Sequence, residues 1–375
     1  MGQLCIYLTP FASDYSGACS ALFDLDCITA INDAGCCTSH YVYYDEPRWS
    51  DKVRPVFSTA IRNIDSILGN DDKIINVICE AAEQIDNDMI AVIGTPVPAL
   101  TGMDMDGIAA EIEFRTGKPA FGFNTTGFDY YDKGIYAVGK AVIDRFARPV
   151  DIIPNRVNIC GMTPLDFGGC GNDKLLEQKL EKEGFTVGCR FFMGITREQI
   201  ETCASAELNV AVSASGLKLA KYLKKKFGTP YRVGFPFKGP EEAKFKESKK
   251  LLIISDQVIG NSLRSALEEG GYDPEKITVA TFFGYDSDIA EAQDFHFKEE
   301  AEYLGLLKEG RFDVLIGDPH IINISPAESL KKIPVIHPAV SSELGWNETE
   351  LMDSGFVDRI MEQIQNIIAG EKNGI

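Results

Sequence analysis

IDNDMIAVIGTPVPAL (85–100), AELNVAVSAS (206–215) and GRFDVLIGDPH (310–320) share one layout: a polar lead-in, an unbroken apolar run, then a loop. Each is followed by a helix-like stretch and then by a proline opening a second apolar run, in GKPAFGF (117–123), GTPYRVGF (228–235) and IPVIHPAV (333–340). The apolar runs are short, rich in β-branched residues and without alternation, which is the pattern of strands buried on both faces of a parallel sheet. Pro119, Pro230 and Pro334 are expected to open strands, where a missing N–H is tolerated. The prolines recur at intervals of 111 and 104 residues, so the chain reads as three units of about that size.

Working outward, the expected fold class is α/β: three doubly wound, Rossmann-like βαβ domains with parallel sheets around a central cleft. The expected boundaries give a domain over 1–150, a second over 151–245, a third over 246–345 and a helical segment over 346–375. RVNICG (156–161) should open the second unit and LLIIS (251–255) the third. LKLAKYLKKKF (217–227) and AESLKK (327–332) read as helices, and 353–369 as a closing helix ended by Gly370. Ligands of such sheets sit beyond the carboxyl ends of the strands. The loops at 94–103, 160–172, 213–216, 255–261, 283–287, 317–325 and 337–342 should therefore line the cleft. Its candidate polar residues are Cys160, Cys170, Ser213, Asp256, Asp318, His320 and His337, each of which could instead cap a loop or helix.

Composition narrows the function. The formal net charge of −19 argues against nucleic acid, which needs clustered Lys and Arg. The basic run from Lys221 to Lys226 reads as a solvated helix face. No apolar run approaches the roughly 18 residues that cross a bilayer, and MGQLCIYLTPFASDYSGAC lacks a basic lead. The expectation is a cytoplasmic protein with no membrane partner. Its ten cysteines then read as thiols or metal ligands instead of disulfides. No Cys-x-x-Cys pair is present, which sets aside zinc-ribbon and thioredoxin patterns. No GxxxxGK[ST] occurs, so the chain itself should not hydrolyse ATP through a P-loop.

The most informative stretch for chemistry is FASDYSGACSALFDLDCITAINDAGCCTSHYVYYDEPRW (11–49). Cys19 follows Ser-Gly-Ala, and Cys36 follows Asp33-Ala34-Gly35. Glycine beside cysteine lets backbone N–H groups approach cluster sulfurs and tune their potential. The same residues could be small buried cysteines, or Cys36-Cys37 a redox-sensing vicinal pair.

With Tyr41, Tyr43 and Tyr44, SILGNDDKI (66–74) and IAVIGTPVPALTGMDMDGI (90–108), this order of motifs resembles the nitrogenase component 1 family. LNVAVSASGLKLAKYLKKKFGTPY (208–231) is similar to the family's second-domain strand and helix. The resemblance covers nearly the whole chain and rests on the order of motifs, not on any single one. It implies a cluster-bearing component of a two-component reductase. Electrons would come from an ATP-hydrolysing iron protein, and an unidentified small molecule or cofactor would be reduced. It equally allows a scaffold for metal-cluster or cofactor assembly without a free substrate. Cys19 and Cys36 would be the metal ligands, with Cys37 as the fallback. Two ligands per chain, doubled across an identical or paralogous subunit, would supply the four thiolates of a bridging 4Fe–4S cluster. Pro96 and Ser213 stand where dinitrogenases carry metal-binding cysteines, so no molybdenum cofactor is expected. His337, after the run 333–336, is the expected proton donor.

Overall fold

The computed structural model describes residues 5–372, except 63, 66–68, 238, 240–244, 246–247, 326–329 and 349. Three sheets organise it. The first comprises β1 (Cys27–Ile31), β2 (Val56–Ser58), β3 (Met89–Ile93) and β4 (Ala120–Phe123), in the order β2-β1-β3-β4. The second comprises β5 (Ile153–Met162), β6 (Thr186–Phe192), β7 (Ala206–Ala211) and β8 (Tyr231–Val233), in the order β6-β5-β7-β8. The third comprises β9 (Leu251–Ile254), β10 (Ile277–Thr281), β11 (Phe295–His296), β12 (Val314–Gly317) and β13 (Lys331–Pro334), in the order β11-β10-β9-β12-β13. Every strand pair is parallel. The α/β class with parallel sheets is therefore as expected.

The three stretches that open the sequence reading form β3, β7 and β12, each the strand that leads on to the outer edge strand of its sheet. β1, β3, β9, β10 and β12 are buried along their whole length, which is why they read as unbroken apolar runs. Pro119 and Pro230 immediately precede β4 and β8 as expected. Pro334 does not open a strand: it closes β13, opposite Gly317 at the last register position. Lys331 and Lys332, read as helix, instead begin that strand, because their backbone pairs with Val314 and Leu315. The rest of the expected 327–332 helix lies largely outside the described residues. The closing helix runs Phe356–Lys372, starting later than expected and passing through Gly370.

The helix Tyr131–Phe146 ties the units together. It crosses the wholly buried helix Asp14–Leu22 at two glycines. A Cβ on Gly17 would lie 2.0 Å from the Tyr131 carbonyl oxygen, and one on Gly134 1.8 Å from that of Asp14. Only glycine permits this approach. Farther along, Gly139 faces Phe192 and Leu219 of the second unit. One apolar cluster consequently runs from Leu22 and Val138 through Phe192 and Leu219 to Phe283, spanning all three units. The basic run is not simply solvated: Lys221 Nζ reaches Asp286 Oδ2 at 2.5 Å and Asp288 Oδ2 at 2.7 Å, and Lys226 pairs with Asp144. Among the described residues no helix is long and apolar enough to cross a membrane.

Candidate functional site

The carboxyl ends of β7, β9 and β12 each lead through a cap residue into a helix. Ser213 Oγ accepts from Gly216 N, Asp256 Oδ1 from Val258 N and Ile259 N, and Asp318 Oδ1 from His320 N. These are N-caps, the bland reading of all three residues. The second carboxylate oxygens do more. Asp256 Oδ2 accepts from Ala214 N at 2.8 Å, joining the third unit to the second. Asp318 Oδ2 accepts from His337 N at 2.9 Å and from Ser341 Oγ at 2.6 Å, fixing the loop that carries the histidine.

His337 lies where the three units meet. Its Nε2 is 3.4 Å from Tyr131 Oη, contributed by the first unit. It is 3.6 Å from Asp166 Oδ1, contributed by the second. Tyr131 donates its hydroxyl proton to Asp166 Oδ1, and Thr163 Oγ1 donates to Asp166 Oδ2 at 3.3 Å. The imidazole stacks on Phe283, with ring centroids 4.9 Å apart. His337 Nδ1 is buried without a hydrogen-bond partner.

The centre is buried and acidic. Asp166, Asp256 and Asp318 are each no more than 1% exposed, and His337 is 5% exposed. Burial, and after it the negative charge of Asp166, pushes the Asp256 carboxyl up to about 7. Burial and the same neighbour hold the Tyr131 phenol protonated, far above its usual range. Asp256 therefore holds its proton where an isolated carboxyl would release it.

Of the expected cleft residues, the structure gathers Asp256, Asp318 and His337 at this point, filled by side chains instead of open. Ser213 is buried close by, its hydroxyl donating to Gly161 O at 2.8 Å. His320 is half-buried at the next helix start. Cys160 is fully buried within β5. Cys170 is elsewhere, in a cleft of about 390 Å³ between the N-terminal segment and the second unit, also lined by Arg48, Asp51 and Arg190. Asp166 and Phe283 come from two of the loops expected to line the cleft, 160–172 and 283–287, without being singled out there; Tyr131 lies outside all of those loops. Tyr131 sits on the apolar stripe 131, 135, 138, 142 of its helix and so reads as core; its hydroxyl on such a stripe is the one available hint. Asp166, a carboxyl between Leu165 and Phe167, carries a similar hint.

The cysteine segment folds into short helices over Cys36–His40 and Pro47–Ser50 with a wide turn, Tyr41–Asp45, between them. It is locked to the second unit. Arg48 is held by Glu46 at 2.7 Å and Asp24 at 2.9 Å, and Asp24 also accepts from Gly194 N at 2.8 Å.

Residues 15–247 match the family described as nitrogenase component 1 type oxidoreductase. The chain belongs to that family. It is 28% identical over 211 residues to the nitrogenase iron-molybdenum cofactor biosynthesis protein NifE of Clostridium pasteurianum, covering 56% of this chain and 44% of that protein. It is 22% identical to the nitrogenase molybdenum-iron protein alpha chain of the same organism, covering 75% of this chain and 52% of that one. The chain thus spans about half the length of these relatives. The solved structure "Nitrogenase Cp1 at pH 6.5" superposes with a TM-score of 0.72 over 99% of this chain and 94% of that one, at 13% identity, a likeness of fold.

For a nitrogenase component 1-type chain the cysteines matter most, and they differ in setting. Cys19 is 1% exposed inside the helix Asp14–Leu22, and burial, then the neighbouring Cys27, pushes its thiol far up. Cys36 is exposed, following Gly35 at φ 108°. Cys37 is half-buried beside Tyr15 and Thr95, its thiol raised by burial and then by Asp33. Among the described residues no three His, Cys, Asp or Glu side chains form a group that could hold a metal ion within one chain. Cys36 thus lies at the surface and Cys19 in the core of its helix. Pro96 starts a short helix, Pro96–Thr101, and its ring packs against Gly127.

Proposed function

We propose that this chain is the electron-accepting component of a two-component nitrogenase-like reductase, with Tyr131, Asp166 and His337 as the proton-delivering site for a small-molecule substrate. The observation that carries the reading is the Tyr131–Asp166–His337 constellation, assembled from all three units in a buried, acidic interior. Reduction by single electrons needs protons supplied in step, and a buried tyrosine, carboxylate and histidine in mutual reach can supply them.

A 4Fe–4S cluster held between this chain and an identical or paralogous subunit would provide the single electrons, delivered by a separate iron-protein ATPase. On this chain Cys36, with Cys37 as fallback, is the better-placed ligand, and exposed Tyr43 and Tyr44 beside it suit a subunit interface. Cys19 would be the second ligand from this chain, so that two subunits together supply four thiolates. We further infer that no large molybdenum-containing cofactor is held through positions 96 and 213, because proline offers no ligand and serine is a poor one for soft metal clusters. The setting would be the cytoplasm.

The test is anaerobic. Iron, sulfide and a visible spectrum are measured on the purified chain with its subunit composition established. Reductant-dependent ATP hydrolysis by a co-expressed iron protein is then measured with and without the chain. Stimulation that is lost in Cys36→Ala supports the reading. A colourless chain that leaves iron-protein turnover unchanged overturns it.

A second reading, a scaffold on which a metal cluster is assembled, is favoured by the relatives named as cofactor biosynthesis proteins. Iron that passes from the chain to an apo-acceptor during incubation, instead of staying bound through repeated reduction, would decide for it.

A further inference from the structure

Phe283 covers the imidazole of His337, and Phe283 is itself covered. Phe11, half-buried, packs on Phe283 at 5.6 Å, on Phe282 at 5.5 Å and on Tyr130 at 5.7 Å. From the surface inward the order is Phe11, Phe283, His337. Phe11 belongs to an N-terminal segment that lies across the third unit. Ala12 N donates to Ala339 O at 2.8 Å, and Ala12 O accepts from Tyr131 N at 3.1 Å. Residue 12 is thus pinned between the helix carrying the tyrosine and the loop carrying the histidine.

Ahead of that anchor, residues 5–8 form no helix or strand. They are held by one side chain. Glu300, first residue of the helix Glu300–Lys308, accepts through Oε2 from Ile6 N at 3.0 Å, Tyr7 N at 2.9 Å and Leu8 N at 2.8 Å. Three consecutive backbone donors on one carboxylate make a charge-assisted latch. Apart from Leu8, the segment buries little: Ile6 is 77% and Tyr7 62% exposed. Thr9 and Pro10, between latch and anchor, are exposed. A segment tethered through its backbone at one point, with few buried apolar contacts, has low local stability.

We propose that residues 5–11 are a strap that closes the His337 site, with Glu300 as its latch and Phe11 as its plug. This deepens the proposed function and rests on it for its meaning, because it supplies the entry path that a centre only 5% exposed at His337 otherwise lacks. Release of the latch lets Phe11 leave the aromatic cluster, and Phe283 can then turn away from the imidazole.

The test reads access to His337 and needs neither substrate nor cluster. The full chain is treated with diethyl pyrocarbonate, and modification of each histidine is followed by peptide mass spectrometry. His40, exposed at the surface, and half-buried His320 are internal references. Glu300→Ala should raise the rate at His337 at least tenfold relative to His40, and Phe11→Ala should do likewise. Lys308→Ala, exposed on the same helix, should leave it unchanged. In Glu300→Ala the amides of residues 6–8 should also lose protection from hydrogen exchange while β3 and β12 keep theirs, which separates unlatching from unfolding. An unchanged His337 rate in both variants overturns the strap. So does a rise accompanied by exchange throughout β12. Failure of the reductase reading would appear separately, as an absent effect on iron-protein turnover, with the access result unaffected.

Discussion

Replacing Asp318 tests the scaffold that aims His337. The carboxylate is 1% exposed and accepts from His337 N, His320 N and the Ser341 hydroxyl. In Asp318→Asn the amide NH2 must face either the His337 or the His320 backbone N–H, whichever way it turns. One donor loses its acceptor, at a cost of about 1–3 kcal/mol. In Asp318→Ala all three groups lose theirs. Ser341 can rotate and water can reach the half-buried His320, so the sum falls to on the order of 3–5 kcal/mol. The loss acts first on the loop 336–345, before the core of β12. Local opening measured by hydrogen exchange should therefore rise about 5- to 150-fold in the Asn variant, at tenfold per 1.4 kcal/mol, and further in the Ala variant. Peptides covering β3 in the first unit should not change. If the Asn variant exchanges within twofold of the parent, or the two variants cannot be told apart, Asp318 does not anchor the His337 loop as described.

Three further outcomes are expected. Gly134→Ala would place a methyl 1.8 Å from the Asp14 carbonyl oxygen, so the two helices must part, lowering stability by at least about 1–3 kcal/mol; Gly305→Ala, with nothing within 4 Å in mid-helix, should gain about 0.5–1 kcal/mol. A Gly134→Ala melting temperature equal to the parent's would contradict the crossing. In the metal-free chain iodoacetamide should label Cys36 at least about 100-fold faster than Cys19, since only an accessible thiolate reacts and burial keeps Cys19 protonated; equal labelling would show that the helix Asp14–Leu22 opens and is not packed as described. Burial alone would raise the Glu300 carboxyl, but the N–H groups of Leu8, Tyr7 and Ile6 outweigh it and hold it below the usual range. A depressed carboxylate stabilises above its unfolded value of about 4.3, and that contribution is lost as pH falls through the folded value. Protection factors of residues 6–8 should thus be level from pH 7 to 5 and collapse below about 4, and collapse between pH 7 and 6 would assign the latch to another group.

What could be read in the sequence follows the physics of burial. Strands covered on both faces must be apolar throughout, so MIAVI and VLIG announce β3 and β12 without ambiguity, while β7 shows the pattern only in part because Glu207 near its start is exposed and it carries the buried Asn209. Edge strands carry less of that signal. β13 reads KKIP because its outer side needs no apolar residue, and its two lysines resemble the end of a helix in sequence. At the site, Asp256, Asp318 and His337 were legible because the rule that ligands gather beyond strand carboxyl ends depends only on topology. Tyr131 was not, because it enters from the start of a helix and occupies that helix's buried stripe. Its partner Asp166 lies 35 residues away, and no local pattern pairs them. The cysteine segment illustrates a different limit. Gly beside Cys marks a tight turn at Cys36, where Gly35 has φ 108°. At Cys19 the similar Ser-Gly-Ala is the small-residue face of a helix that must pass close to Tyr131. The same composition serves backbone turning in one place and backbone packing in the other.

The reach of the family match bears on which part of the chemistry can be carried over. Residues 15–247 span the first two sheets, together with Cys36, Cys37, Tyr131 and Asp166. His337, Phe283 and Asp318 come from the third sheet, beyond that match. On the proposed function, the interface segment and two of the three relay residues therefore lie within that match, and His337 lies outside it. On that reading, electron entry and substrate chemistry would draw on different stretches of the chain. One can be retained while the other diverges, as long as the third unit still presents a polar residue to Tyr131 and Asp166. The N-terminal strap fits that division, because its latch, Glu300, and most of the aromatic layer that Phe11 closes also belong to the third unit. Exchange of the third unit for that of a relative should accordingly leave iron content and iron-protein coupling in place while changing what is reduced. Loss of iron in such a chimaera would mean that the cluster depends on the third unit, and the division drawn here would fail.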